Sequence, residues 1–309
     1  MVEGLGVRVA AIDCGTNSIR LLIADIDGNN FREVHREMEI VRLGAGVDQN
    51  KAFDPAAIER TLAATQKFAG LIAAKGVQKV RLCATSATRD ASNRQIFIDG
   101  VREILGIEPE VIPGTEEAEL SFIGATKESD NALSPFLVVD IGGGSTEFVL
   151  GSSSVEHARS VNIGCVRMSE RHLNQLPPSA QSLALATKDI DEAIALAAAE
   201  VPFVQARTLI AVAGTATTVA AAALGLESYD RYSIHLARIS AAQVADVAAM
   251  FAGMNREEIA ALPYMHPGRV DVITAGSLVL ARVMVATGAK EFVASESDIL
   301  DGMAWSLAN

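Results

Sequence analysis

The chain of 309 residues carries 38 acidic against 26 basic side chains, a formal charge of −12, and half of its residues are apolar. That composition supports a buried core, and the length suits two globular units because single cores rarely grow past roughly 250–300 residues. The acidic balance excludes non-specific attachment to nucleic acid or to an anionic membrane surface, since both repel a negative protein.

Cys14, Cys83 and Cys165 have no Cys-x-x-Cys spacing, which predicts reduced thiols in a cytoplasmic protein, with neither a disulfide framework nor a zinc site. Residues 1–8 lack the basic start and apolar stretch of a signal peptide. Residues 8–13 are predicted as an apolar strand ending in the turn Gly15-Thr16-Asn17, with 19–26 returning as a hairpin and 31–43 as a third strand. Helical spacing in 55–74 follows the N-cap Asp54. A strand at 80–85, a helix at 92–105, a strand at 110–112 and a helix at 115–125 come next, and 127–135 is the expected linker.

The same theme then restarts with a strand at 136–140, a glycine turn at 141–145, and strands at 146–151 and 155–162. Helices are expected at 179–199, 241–251 and 269–287, a strand at 208–213, and a last helix near 297–307. The charge-free run 208–226 approaches membrane-spanning length. Its centre at Gly214, Thr215, Thr217 and Thr218 instead predicts strand, turn and buried helix. Ala11-Ile12-Asp13-Cys14-Gly15 aligns with Val138-Val139-Asp140-Ile141-Gly142. The chain therefore reads as a duplicated strand–loop–strand unit of mixed α/β class, with a cleft expected between its halves.

Several segments carry residue types suited to phosphate chemistry. In Ile141-Gly142-Gly143-Gly144-Ser145-Thr146 the glycines let backbone N–H groups converge on an anion, or simply form a pliant hairpin turn. Asp140 and Glu147 flank that turn, and a hairpin brings their hard oxygen ligands together, as a Mg²⁺ ion requires. Asp13-Cys14-Gly15-Thr16-Asn17-Ser18 is the matching first loop and a second phosphate clamp. Arg89 has the fork to hold phosphate, against the alternative of a surface ion pair with Asp90 or Asp99. In Pro113-Gly114-Thr115-Glu116-Glu117-Ala118, Thr115 is a natural N-cap. The two glutamates there either favour the positive helix end or supply a general base. The turn containing Gly214 and Thr215 is a third site for phosphate or a nucleotide sugar, or a simple buried turn; Arg167 and Arg269 are further candidates. The five histidines show no ligand spacing, and no P-loop, zinc-protease helix, nucleophile elbow or dinucleotide fingerprint occurs.

Taken in order, Asp13-x-Gly15-x-Asn17-Ser18, Arg42-Leu43-Gly44, Ala84-Thr85-Ser86-Ala87-x-Arg89, Gly114-x-Glu116-Glu117-Ala118 and Asp140-Ile141-Gly142-Gly143-Gly144-Ser145-x-Glu147 resemble the exopolyphosphatase / guanosine pentaphosphate phosphohydrolase (Ppx/GppA) family. Gly164-Cys165-Val166-Arg167, Ala213-Gly214-Thr215 and Arg269 extend the resemblance over nearly the whole chain. It implies an actin-like ATPase (ribonuclease H-like) duplicated fold, with one domain at 1–126 plus 297–309 and the other at 127–296. It also implies Mg²⁺-dependent release of orthophosphate from inorganic polyphosphate or pppGpp, a link to the stringent response, and a homodimer. By the same resemblance Glu117 is the general base, and Asp140 and Glu147 are the Mg²⁺ carboxylates. The phosphate binders are then Asp13, Gly15, Thr16, Asn17, Ser18, Arg89, Gly142, Gly143, Gly144, Ser145, Thr146, Gly214, Thr215 and Arg269. An actin-like small-molecule kinase and a non-catalytic alarmone or polyphosphate sensor are the rival readings. Two departures stand out. The chain resembles the short form without further helical domains, which together with its charge implies short polyphosphate chains. Leu300-Asp301-Gly302 stands where the family often has Arg-Glu-Gly, so an arginine contact is expected to be missing.

Overall fold

A computed structural model describes residues 6–127 and 129–308. Five residues of the start read against a signal peptide, position 128 of the expected linker, and residue 309 of the expected first domain lie outside the described residues. The chain divides into two units, one formed by Met1–Gly124 with Ile299–Asn309 and the other by Ala125–Asp298.

In the first unit, β1 (Val7–Cys14) and β2 (Ser18–Asp27) form the expected hairpin, and β3 (Asn30–Ile40) completes an antiparallel meander. Strands β4 (Lys79–Ala84) and β5 (Glu110–Val111) run parallel to β1, giving the order β3-β2-β1-β4-β5. β3 stops three residues short of expectation because the chain turns toward the first loop: Val41 and Arg42 N–H both donate to Asn17 O, and Arg42 takes φ 51°. The side-chain period of two divides β1 between two cores. Ala10 and Ile12 join one buried cluster with Phe68 and Phe97, while Val9 and Ala11 join another with Leu120, Leu300 and Met303.

The helices of this unit are α1 (Val47–Asn50), α2 (Pro55–Ala74), α3 (Ser86–Asp90), α4 (Arg94–Leu105) and α5 (Gly114–Thr126). α2 starts as expected, with the Asp54 carboxylate accepting from Ala56 and Ala57 N–H and proline at its first position. The helix expected over 92–105 begins at Arg94, and the extra turn α3 precedes it. Thr115 is inside α5 and not its cap, because the helix already begins at Gly114.

The second unit repeats the plan. Strands β6 (Phe136–Ile141), β7 (Thr146–Gly151) and β8 (Val155–Val161) form the meander, followed by α6 (Cys165–His172), α7 (Ala180–Ala198), β9 (Thr208–Val212) and α8 (Ala213–Ala223). Then come α9 (Arg231–Ile234), β10 (Arg238–Ser240), α10 (Ala241–Gly253), α11 (Arg256–Ala260), α12 (Ile273–Thr287) and β11 (Glu291–Ala294). The sheet order is β10-β11-β9-β6-β7-β8, so reading inward from β8 reproduces the order of the first unit with β10 added at the edge. The run 208–226 is strand, turn and helix, and no helix among the described residues is long and apolar enough to cross a membrane. The expected long helix at 269–287 is shorter: Arg269 sits in a 3₁₀ turn, Pro267–Arg269, and α12 opens only at Ile273. The last helix, α13 (Ile299–Ser306), returns to the first unit and packs on β1 and β2.

Candidate active site

In the second unit the β6–β7 register pairs Asp140 directly with Glu147 and Ile141 with Thr146, leaving 142–145 as the turn. Directly opposed residues share a sheet face with Cβ atoms roughly 4.5–5.5 Å apart. Both carboxylates are buried. Ser160, the partner of Glu147 on β8, donates its hydroxyl to Glu147 Oε1 at 2.7 Å.

The glycine turn is held by the start of α6. Cys165 N–H donates to Gly142 O (2.9 Å), Val166 and Arg167 N–H donate to Gly143 O (2.9 and 3.1 Å), and Arg167 Nε donates to Gly144 O (2.7 Å). The first turn of α6 thus spends its otherwise orphan amides on the carbonyls of the turn. In a trans peptide N–H and C=O point in opposite directions, so the N–H groups of Gly143, Gly144 and Ser145 point away from α6. Backbone N–H groups arranged in this way form a nest suited to an anion. Sequence reasoning missed α6, five of whose eight residues are polar; the Gly-Cys-Val-Arg segment was its only signal. Thr146 is fully buried and its hydroxyl donates to Ile163 O.

The third turn brings Gly214 and Arg269 together: a Cβ on Gly214 would fall inside the Arg269 guanidinium, so the arginine lies flat over the glycine. Thr215 is buried against Gly276, where an added Cβ would meet its Oγ1 at 2.6 Å. Burial raises the Cys165 thiol, opposed by the nearby Arg269 charge, and keeps it unreactive. Tyr229 donates its hydroxyl to Glu296 Oε1 (2.6 Å) and lies 2.8 Å from the Thr217 hydroxyl; burial and then the Glu296 charge push the phenol up.

In the first unit the first loop has the same turn, with Gly15 N–H donating to Ser18 O (3.0 Å) as Gly142 N–H does to Ser145 O (3.1 Å). Gly44 approaches Thr16 so closely that a Cβ would meet Thr16 Cβ at 3.2 Å, and Gly44 N–H donates to Thr16 O. Thr16 and Ser86 hydroxyls are 3.0 Å apart. Asp13 is opposed by Arg20, which grips its Oδ2 through Nη2 (2.7 Å) and Nε (3.0 Å). The Asp13 carboxylate is thus paired with Arg20.

Arg89 pairs with neither Asp90 nor Asp99. Its Nη1 donates to Glu117 Oε2 (2.7 Å) and to Ile112 O (2.9 Å), while Asp99 takes Arg102. Glu116 turns the other way, to Arg81 Nη2 (2.5 Å). The two glutamates that spacing alone left undistinguished differ in their surroundings: Glu117 is buried beside Arg89, and Glu116 is half-exposed on Arg81. Leu300, at the place of the family arginine, is buried in the apolar cluster, and Asp301 accepts from Arg36 (2.5 Å). Among the described residues no three acidic, histidine or cysteine groups gather for a metal. The opposed carboxylates of Asp140 and Glu147 offer hard oxygen atoms of the kind a Mg²⁺ ion could take, with waters and phosphate oxygens filling the rest of its shell.

The model of the Ppx/GppA phosphatase family matches residues 22–308. Exopolyphosphatase 2 of Mycobacterium tuberculosis is 48% identical over 314 residues, covering 97% of this chain and 98% of that protein. The guanosine-5'-triphosphate,3'-diphosphate pyrophosphatase of Pseudoalteromonas atlantica is 35% identical over 164 residues, which is 53% of this chain and 32% of that protein. Among solved structures, an exopolyphosphatase-like protein matches with a TM-score of 0.95 at 44% identity over 98% of both chains. An exopolyphosphatase from Cytophaga hutchinsonii matches with a TM-score of 0.89 at 26% identity over 97% of both. The chain shares with these structures the duplicated actin-like ATPase (ribonuclease H-like) fold.

Proposed function

Because this chain belongs to the Ppx/GppA phosphatase family, we propose that it is a Mg²⁺-dependent exopolyphosphatase releasing terminal orthophosphate from short inorganic polyphosphate, with pppGpp as a second substrate. The observation that carries the reading is the contrast between two copies of one hairpin. At the same seven-residue spacing, Asp13 faces Arg20, whereas Asp140 faces a second carboxylate, Glu147. Like charges directly opposed across strands are destabilising, and a divalent cation relieves them. When bound there, the cation would draw charge from a phosphoryl oxygen.

The remaining work falls to side chains and amides. Glu117 takes a proton from water as the water oxygen attacks the terminal phosphorus; the bridging P–O bond breaks, and the shortened chain leaves with the bond's electrons. Arg89 orients the Glu117 carboxylate. Within the second unit the amides of Gly143, Gly144 and Ser145 and Arg269 over Gly214 are suited to offset charge on phosphate oxygens, and within the first unit the turn at Gly15, Thr16, Asn17 and Ser18 offers groups of the same kind. Three buried free thiols support a reducing, cytoplasmic setting.

The test is Glu117→Gln, assayed for Mg²⁺-dependent phosphate release from tripolyphosphate without an acceptor. Loss of a general base predicts a fall of about 10²–10⁴-fold. Release that survives within a few-fold shows that Glu117 is not the base.

A further inference from the structure

Helix α5 carries both glutamates, and its placement is set from the far end of the chain. Gly302 of α13 lies against the α5 backbone one turn beyond Glu117. A Cβ on Gly302 would be driven into the Leu120 carbonyl oxygen, 2.8 Å from its carbon and 3.1 Å from Leu120 Cα. Leu120 shares a buried cluster with Ile299, Leu300, Met303 and Ala304, so this close approach sits in packed core with little room to yield.

A polar bridge adds to it. Arg81 of β4 donates through Nη1 to the Ser306 hydroxyl on α13 (3.0 Å) and through Nη2 to Glu116 on α5 (2.5 Å) and Glu110 on β5 (2.7 Å). α13 is itself tethered to the sheet by Arg36 on Asp301 (2.5 Å) and by Lys79 Nζ on Leu307 O (2.7 Å). All of these residues belong to the first unit.

We propose that α13 positions Glu117, with Gly302 and Arg81 as positioning residues: Gly302 sets how closely α5 approaches, and the Arg81–Glu116 bridge fixes its first turn. The inference rests on the reading of Glu117 as the base. Glu116 then acts only through Arg81, which accounts for two adjacent glutamates with different partners. Leu120 is three residues from Glu117, roughly 4.5 Å along a helix that moves as a rod. A shift that clears a Cβ at Leu120 is therefore passed to the carboxylate, and a misplacement of about 1 Å costs up to about 10²-fold in rate.

Gly302→Ala and Arg81→Met test the proposal by tripolyphosphate hydrolysis with Mg²⁺, circular dichroism and crystal structures of the variants. The expected result is kcat lowered about 10–100-fold with KM within about twofold in folded protein, and a Glu117–Arg89 separation longer than the present 2.7 Å. Should Gly302→Ala fail to fold, Arg81→Met carries the test, since it adds no clash. The double variant Arg81→Met/Glu116→Gln is expected to be no slower than Arg81→Met alone. The proposal is overturned by kcat within twofold of wild type in the folded variants, by a loss carried by KM, or by an unmoved α5. Glu117→Gln in the same assay separates the two ideas. Activity surviving there sinks the base reading, and displacement of α5 in the crystal then decides alone whether Gly302 and Arg81 set the helix.

Discussion

Gly164 is the point on which the glycine turn of the second unit rests. Its φ of −129° is open to any residue, so close approach and not backbone conformation demands glycine. A Cβ there would overlap the Gly143 carbonyl and the Gly144 nitrogen, both backbone and neither able to swing aside. Gly164→Ala must therefore push α6 off the turn, across a seam of four hydrogen bonds from Cys165, Val166 and Arg167. Losing two or three of them at about 1 kcal/mol each predicts a destabilisation of about 2–3 kcal/mol. For a unit of this size that lowers Tm by about 4–12 °C. The same displacement misaligns the Gly143, Gly144 and Ser145 amides, and kcat for phosphate release is expected to fall at least about tenfold. Thermal melting followed by circular dichroism, with the tripolyphosphate assay, reads both effects. Gly253→Ala is the control, because a Cβ there meets nothing within 4 Å; it should change stability by less than about 0.5 kcal/mol. A Gly164→Ala protein that melts within about 2 °C of wild type would refute the reasoning.

Two further outcomes follow from the same contacts. Gly214→Ala should expel the Arg269 guanidinium. It should weaken tripolyphosphate binding in calorimetry as much as Arg269→Met does, with the double variant no weaker than either; additive losses would show that the two residues act separately. Asp25 lies below the ordinary carboxylate range because Arg8, and then Arg32, bond its charged form, against the opposing effect of burial. A depressed carboxylate contributes stability that is present above its unfolded value of about 3.9 and is lost as pH falls through the lower folded value. Asp25→Asn should accordingly melt below wild type at pH 7, with the gap narrowing as pH drops below about 4; a gap that does not narrow as pH falls below that point would contradict the assignment.

The parts of this molecule that were legible in sequence are those fixed by short-range geometry. The Asp140–Glu147 apposition follows from two apolar strands and a four-residue turn, and it is found in that register. The burial of the Thr146 side chain follows from the same local geometry, because neighbours on a strand point to opposite faces and Thr146 adjoins Glu147. Strands β10 and β11 left little trace because their pairing is long-range: Val293 pairs with Ile210 and Arg238 with Val293, and three or four residues carry no periodicity of their own. The partner of Arg89 was hidden for a similar reason. Asp90 and Asp99 are closer along the chain, but β5 and the start of α5 bring Glu117 to the guanidinium. Arg269 was placed at a helix start on hydropathy alone, whereas His266 Nδ1 accepts from Gly268 N–H and closes a separate turn there.

The turn docked on α6 also changes how an acidic chain presents positive potential. A helix concentrates roughly half a unit of positive charge at its N-terminal amides. In α6 those amides are covered by the carbonyls of Gly142 and Gly143. Each covering peptide is aligned head-to-tail with the helix, so its own dipole adds to the series and the positive pole moves outward to the amides beyond. The pole is thereby carried by uncharged glycine backbone, on a protein whose side chains sum to −12. Such a field has no proton to lose and does not weaken as pH rises, unlike that of a lysine or histidine in the same place.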